Sequence, residues 1–481
     1  MRDKFPSDEG YFDLIYLDPP FNSNRNYNVI FKEGIEDSPA QLHAFEDTWR
    51  WTSHTKAQFE ELVSYPIYPS KVADVMMGME KIVGHNDILA YLTMMAVSLI
   101  ELYRVLKQTG TIYLHCDPTA SHYLKILLDS IFSPGMFLNE IVWHYRKWPT
   151  GKYAFQRNHD IVLVYSKTSS RDRVFNQLYM ERAASTLKRF GKAKIISGHD
   201  ETGKRLPSKT EEMESEGVRQ DDTWDIPRVP PIKQLFPTQK PEALLERIIL
   251  ASTNEGDWIL DPFGGCGTTV VVAERLKRNW VVIDITTLAI NLVKRRIEDM
   301  YPNQELEMIT DGLPEDLSGA KALFDVDPFE FEYWCCDLIQ ASPSGDKIKG
   351  RMKGADRGID GRIVFPDRKS GSSQTEYRKI LVQVKGGHID HSQVRDFLGT
   401  IVREKAAGGV FITLKEPTRP MLKEAVEAGT YLYNLTGQEY PKIQIITVKE
   451  LLEGKRPNHP SIIPYIKKTE KVEEGSQKPL F

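Results

Sequence analysis

The sequence predicts an α/β protein in which a doubly wound parallel sheet is followed by a second, smaller α/β domain. Short apolar runs at 12–17, 110–115, 161–165, 258–260 and 281–284 alternate with stretches whose apolar residues recur at three and four, the rhythm of strand–helix–strand units. Two of these runs end in an acid and a proline: Asp18-Pro19-Pro20-Phe21, and Asp261-Pro262-Phe263-Gly264-Gly265-Cys266-Gly267-Thr268-Thr269. An acid at the carboxyl end of a parallel strand sits where open α/β sheets bind ligands. From Asp327 a further set of strands begins, behind a Gly- and Pro-containing stretch.

Taken in order, 11–21 reads as strand then loop, and 22–75 as a long functional loop with short helices. Residues 87–108 and 119–132 read as helices on either side of the strand Gly110–His115, and Ile161–Tyr165 is a further buried strand. The alternation is lost over 169–235, which is rich in charge, Gly and Pro. It resumes with a helix at 241–251, the strand Trp258–Leu260, the strand ending at Asp284 and a helix over 286–300. The segment 302–326 reads as a linker, and 464–481 as a flexible charged tail.

With 481 residues the chain has room for two or three cored domains. A net charge of -4 argues against a wholly basic nucleic-acid binder but leaves room for a local basic patch. Cys116, Cys266, Cys335 and Cys336 have neither zinc-site nor disulfide-framework spacing, so a reducing, cytoplasmic setting is expected. No run approaches about 18 apolar residues, and Met1-Arg2-Asp3-Lys4 is no signal peptide, so no membrane partner is expected. No Gly-x-x-x-x-Gly-Lys-Ser/Thr string is present, which disfavours an ATP-driven translocase.

The two Asp-Pro strings together resemble the amino-DNA methyltransferases. With the Asp-Pro-Pro-Phe string first, they resemble the β-class, which modifies adenine N6 or cytosine N4 with S-adenosylmethionine. An exocyclic amine is a poor nucleophile because its lone pair is delocalised into the ring. It needs acceptors that pull its hydrogens out of plane and offset the charge as the methyl arrives. Asp18 supplies a carboxylate and Pro19 a carbonyl, Pro19 and Pro20 stiffen the turn, and Phe21 offers a face to a base flipped out of double-stranded DNA. Asp at position 18 leans toward adenine, as the resemblance implies. Asp261, Phe263, Gly264, Gly265 and Gly267 are expected to hold the cofactor, with Asp284 on its ribose. Thr238, Lys240 and Pro241 correspond to the family segment that covers it; that segment usually begins with His, where this chain has Phe236. β-class chains also carry a strand and a Gly-Asp element before the Asp-Pro-Pro strand. Here only ten residues precede Tyr11, so the expectation is a truncated start, or else an adenine pocket completed in another way.

DNA would meet residues 139–200, which carry 12 Lys and Arg against 5 Asp and Glu. There Trp143, Tyr145, Trp148, Tyr153 and Phe155 interleave with Arg146, Lys147, Lys152 and Arg157, a mixture suited to phosphate contact and base stacking. By the resemblance, target recognition falls at about 169–235.

A second constellation follows. Glu332 lies on a helix starting near Phe329, Asp360 on a turn into the strand Arg362–Phe365, and Gln383 and Lys385 on one face of the strand Ile380–Lys385. A hairpin would bring acid, amide and amine together, where an acid can bind a hard divalent cation and Lys can position water. Asp…Gln-x-Lys with an upstream helical Glu resembles the Mrr-like branch of the PD-(D/E)XK nucleases, in which Gln383 replaces the more usual acid. The resemblance implies Glu332, Asp360, Gln383 and Lys385 as catalytic, with Glu332, Asp360 and Gln383 as ligands to Mg²⁺. His388 and His391 read as exposed loop residues. The end of the chain, Gln477 to Phe481, resembles peptides that dock on a bacterial sliding clamp.

The expected organisation is therefore a Rossmann-like S-adenosylmethionine-dependent methyltransferase domain at 1–301 with target recognition at 169–235, a linker at 302–326, an Mrr-like restriction-endonuclease domain at 327–463, and a tail at 464–481. The expected function is adenine-N6 DNA methylation joined to Mg²⁺-dependent DNA cutting, in restriction-modification or DNA defence. The alternatives are a nuclease-like domain that only grips DNA, and cytosine-N4 methylation. The oligomeric state is left open, with a dimer compatible.

Overall fold

The computed structural model describes residues 3–20, 25–33, 36–47, 50–147, 153, 155–196, 198, 201, 202, 204, 206, 208–230, 234, 239–302, 306–343, 358–369 and 374–460, with only the backbone at 25–47. A seven-stranded sheet runs in the spatial order Thr223–Asp225, Phe137–His144, His159–Ser166, Leu106–Cys116, Phe12–Leu17, Trp258–Asp261, Asn279–Val282. Phe12–Leu17 is central and pairs in parallel with both Leu106–Cys116 and Trp258–Asp261. The chain leaves these two central strands in opposite directions, which places the crevice for a ligand at their carboxyl ends.

Alternation along the central strand fills both faces. Ile15 and Leu17 pack with Leu92, Met95, Leu99, Leu124 and Leu128 on one side. Leu14 and Tyr16 pack with Leu244, Ile248, Ile259 and Val272 on the other. The helix Asp87–Val105, capped by Asn86 on the Leu89 N–H at 3.0 Å, is the one described helix long and apolar enough to cross a membrane. Leu89, Leu92, Met95 and Leu99 bury it in the core instead.

Several elements differ from the sequence reading. His159–Ser166 runs antiparallel to Leu106–Cys116, so the sheet is mixed. The return is made by the strand Phe137–His144, which pairs antiparallel with it. An antiparallel neighbour needs no crossover helix between it and its partner, and the helix Ser121–Phe132 instead leads from Leu106–Cys116 to Phe137–His144. Phe137–His144 is itself absent from the sequence reading, and it overturns the surface role of two aromatics: Trp143 is 2% and Tyr145 6% exposed. The Trp143 indole donates to the Ile226 carbonyl at 2.8 Å, a core contact. Tyr153 and Phe155 are fully exposed; Trp148 and Lys152 lie outside the described residues.

The loop expected at 22–75 contains the antiparallel pair Arg25–Glu33 and Glu36–Asp47 and the helices Ser53–Ser64 and Ser70–Val83. Trp258 is 43% exposed, so only Ile259 to Asp261 of its strand are buried. The expected linker holds a helix, Leu317–Val326, capped by Asp316. Its Ala320, Leu323 and Phe324 pack into the second core with Phe331 and Trp334, so that core starts before residue 327.

The second domain is a five-stranded sheet ordered Ser342–Pro343, Gly361–Arg368, Thr375–Lys385, Gly408–Thr413, Ile443–Thr447. Its first three strands are antiparallel and the last three parallel. The helix Pro328–Leu338 starts on the Asp327 carboxylate, which accepts from the Phe329 and Glu330 N–H groups. The same helix touches the first domain: Glu330 accepts from the Thr287 hydroxyl at 3.0 Å, and Asp337 lies 3.5 Å from Arg295. The four cysteines are free and buried, and the tail with its Gln477–Phe481 string lies outside the described residues.

Burial makes Trp143 a stability residue. Trp143→Ala is expected to cost about 3–5 kcal/mol in chemical denaturation; an unchanged midpoint would restore its place on the DNA-facing surface.

Candidate active sites

Parallel register fixes the first site. Leu17 stands opposite Leu114 and Ile15 opposite Leu260, so Asp18, His115 and Asp261 reach the same edge of the sheet. Asp18 is 17% exposed and accepts a charge-assisted hydrogen bond from the Lys240 ammonium. Lys240 was expected on the cofactor; the structure sets it against Asp18. Pro19 is buried and Pro20 half-buried. Phe21 and Thr238 lie outside the described residues.

Sequence reasoning passed over His115, which is completely buried behind Asp18. Its Nδ1 lies 3.8 Å from Asp18 Oδ1 and 3.0 Å from the Tyr16 hydroxyl. Its Nε2 lies 3.4 Å from Asp160 Oδ2, whose other oxygen accepts from the Tyr145 hydroxyl at 3.0 Å. Burial works against the Asp160 carboxylate, but the His115 hydrogen bond and charge, Lys240 and Tyr145 together hold its pKa below the usual range. Burial, then the charges of Asp18, Asp261 and Asp160, raise the Tyr16 pKa well above its ordinary value, so its hydroxyl stays protonated. The only sequence signal was a His facing inward from an otherwise apolar strand.

The glycine string forms a tight strand-to-helix turn ahead of Thr268–Arg275. A methyl on Gly264 would fall 2.1 Å from Val282 Cγ2 and one on Gly267 2.6 Å from Val293 Cγ2; Gly267 also has φ +70°. The Gly265 N–H donates to Asp284 Oδ2 at 2.9 Å, and Asp284 Oδ1 accepts from both the Thr286 N–H and hydroxyl. Asp261 accepts from Thr269 at 2.6 Å and from the Phe263 N–H at 3.1 Å. Burial pushes Asp261 up to about 7 against these bonds, and burial likewise raises Asp284. Pro241 is buried at the start of the helix Glu242–Ser252. A bare backbone turn flanked by two acids suits a cofactor that bears ribose hydroxyls.

The expected hairpin of the second domain is present, with Gly361 opposite Val382. Asp360 is buried and its Oδ2 accepts from the Val384 N–H at 2.8 Å. Gln383 touches the same turn, its Nε2 lying 2.6 Å from where a Gly358 Cβ would be. Its Oε1 is buried without a hydrogen-bond partner, an oxygen that a hard cation would satisfy. Burial, with Glu332 and Asp360 among the contributing charges, raises the thiols of Cys335 and Cys336, so both acids flank that pair. Among the described residues no group of three or more His, Cys, Asp or Glu is placed to hold a metal ion. His388 is 86% exposed.

Comparison with known proteins bears on both sites. A DNA methylase family model, of the N6/N4 type, matches residues 12–295, and a restriction endonuclease model, of the Mrr catalytic type, matches residues 323–453. The chain is similar to Type II methyltransferase M.HpaI of Haemophilus parainfluenzae, with 30% identity over 210 residues covering 42% of this chain and 57% of that protein. It is similar to DNA adenine methyltransferase YhdJ of Escherichia coli (strain K12), with 30% identity over 234 residues covering 47% of this chain and 74% of that protein. A stretch of 62 residues is 61% identical to Type II methyltransferase M2.DpnII of Streptococcus pneumoniae, covering 13% of this chain and 23% of that protein. The chain thus spans little more than half the length of M.HpaI.

The raised Asp261 pKa is a statement about stability. Below about 4 the group is protonated in folded and unfolded chains alike. As pH rises toward 7, the unfolded chain ionises first and folding loses on the order of 4 kcal/mol from the shift of 3.8 to about 7. Asp261→Asn is expected to gain stability relative to wild type as pH rises from 4 to 7 in thermal melts, and a pH-independent difference would contradict the shift.

Proposed function

Because the chain belongs to the N6/N4 DNA methylase family and carries a restriction-endonuclease domain behind that region, we propose that it methylates adenine N6 in double-stranded DNA and cuts DNA with its second domain, as a restriction-modification or defence enzyme. The observation that carries the first half is the shared edge: Asp18 ends the central strand beside the glycine turn that follows Asp261. Asp at position 18 and the likeness to a protein named as a DNA adenine methyltransferase support adenine over cytosine.

S-adenosylmethionine, when bound, supplies an activated methyl group. The glycine turn, Asp261, Phe263 and Asp284 would hold it, and Pro241 would help cover it. Asp18 and the Pro19 carbonyl accept the two hydrogens of the target amine, turning its lone pair toward the methyl. Lys240 is bonded to Asp18 Oδ2, which leaves the other carboxylate oxygen to accept an amine hydrogen. Lys240 thereby offsets the charge of this partly buried carboxylate. In the second domain Asp360, Gln383 and Glu332 would hold Mg²⁺, which supplies Lewis-acid chemistry at a phosphate, and Lys385 would position water.

Transfer of labelled methyl to DNA, followed by mass spectrometry of nucleosides, tests the first half. Wild type is expected to yield N6-methyladenine and Asp18→Ala at least about 100-fold less; N4-methylcytosine as product would overturn the base assignment. For the second half, Lys385→Ala is expected to abolish Mg²⁺-dependent cutting and leave methylation intact. The lack of a three-ligand cluster among the described residues favours a second reading, a domain that only grips DNA. That reading requires wild type itself to cut nothing.

A further inference from the structure

The buried ladder behind Asp18 deepens the methyl-transfer reading and rests on it. Two carboxylates, Asp18 and Asp160, and one ammonium, Lys240, surround the wholly buried His115. With a neutral imidazole the group carries one net negative charge. Asp160, which accepts from the Tyr145 hydroxyl through its other oxygen and acts as an acceptor toward the imidazole, fixes a hydrogen on Nε2, because that nitrogen faces it at 3.4 Å. Nδ1 is then the basic atom, and it faces the catalytic side, where the Tyr16 hydroxyl and Asp18 Oδ1 converge on it at 3.0 and 3.8 Å. An acid orienting a His whose other nitrogen points at the reacting group is the arrangement of a general base held in one tautomer.

We propose that His115, oriented by Asp160, is a positioning residue that acts through Asp18 and takes up the proton released when the target amine is methylated. As the N–C bond forms, the cofactor's S–C bond breaks and its electron pair stays on sulfur. The nitrogen then sheds one proton to Asp18. That proton passes to His115 Nδ1, which restores the Asp18 carboxylate and leaves an imidazolium between two carboxylates. The local charge falls from one negative to zero, so uptake is favoured where desolvation makes net charge costly. Among the described residues, the ionisable groups that act on the ladder include Asp261, which with Asp18 and Asp160 raises Tyr16, Tyr145, bonded to Asp160, and Arg228, whose charge acts on Tyr145. From the next residue in the strand, burial and then the charges of Asp117, Asp160, Glu140 and Asp18 raise Cys116. Both hydroxyls and this thiol stay protonated.

The test uses the full chain, tritiated S-adenosylmethionine and unmethylated genomic DNA under single-turnover conditions from pH 6 to 9, with cofactor binding followed by calorimetry. His115→Gln is expected to bind cofactor within about twofold of wild type. It should transfer methyl about tenfold or more slowly, with the wild-type pH limb and solvent deuterium isotope effect altered. Asp160→Asn should show the same changes, and the double variant no further loss. Wild-type rate and pH profile in His115→Gln, or additive losses in the double variant, would overturn the role. Should His115→Gln fail to fold, an unchanged rate and profile in Asp160→Asn would overturn it alone. If wild type transfers no methyl, the methyltransferase reading itself fails and this role falls with it; transfer by wild type with unaltered variants removes only the role.

Discussion

The parallel pairing of Phe12–Leu17 between Leu106–Cys116 and Trp258–Asp261 is the constraint on which the rest of the first domain depends. Three strands that run the same way end at one edge, and each delivers a titratable side chain there: Asp18, His115 and Asp261. The antiparallel His159–Ser166 adds a fourth group because it starts where its neighbours end. Its pairing of Cys116 with Ile161 puts Asp160 level with the site. A register slip of one residue would turn each of these side chains to the opposite face of the sheet.

Burying three acids in so small a space needs compensation, and each acid is compensated differently. Asp18 is paired with Lys240, and both groups keep some exposure to solvent. Asp160 is held ionised by His115, Lys240 and Tyr145 despite its burial. Asp261 has hydrogen bonds but no cation, so burial prevails and its proton is retained to about neutral pH. A carboxyl that titrates near neutrality in the glycine turn makes the turn's charge sensitive to whatever binds there.

Much of this was legible in the sequence. The strand ends that carry Asp18, Asp261 and Asp284 stand out because apolar runs stop abruptly at Asp-Pro or at an acid, and the Asp360–Lys385 hairpin follows from period-two alternation. What escaped was long-range in origin. Phe137–His144 mixes polar, acidic, aromatic and apolar letters, and only its pairing with His159–Ser166 shows that Trp143, and Tyr145 just after it, point inward. The direction of His159–Ser166 is invisible to periodicity, which is the same for parallel and antiparallel strands. His115 is one polar letter in an apolar strand, and its importance comes from partners far away in the chain. Leu317–Val326 was hidden by the Gly and Pro just before it.

The helix Pro328–Leu338 packs against both domains. Its outward face meets the first domain at Thr287 and Arg295, next to the turn that holds Asp284. Burial raises the Glu330 pKa, and the Asp327 and Asp284 charges add to that shift, so Glu330 is within electrostatic reach of the expected ribose-binding acid. Its inward face carries Phe331, Trp334, Cys335 and Cys336 into the second core. There the Cys336 thiol lies 3.5 Å from the Asp360 carbonyl, and Glu332, the acid proposed upstream in the nuclease set, is on this helix too. A close-packed interior transmits displacement rather than absorbing it. The same helix thus contacts the Asp284–Thr287 turn on one face and packs beside Asp360 on the other.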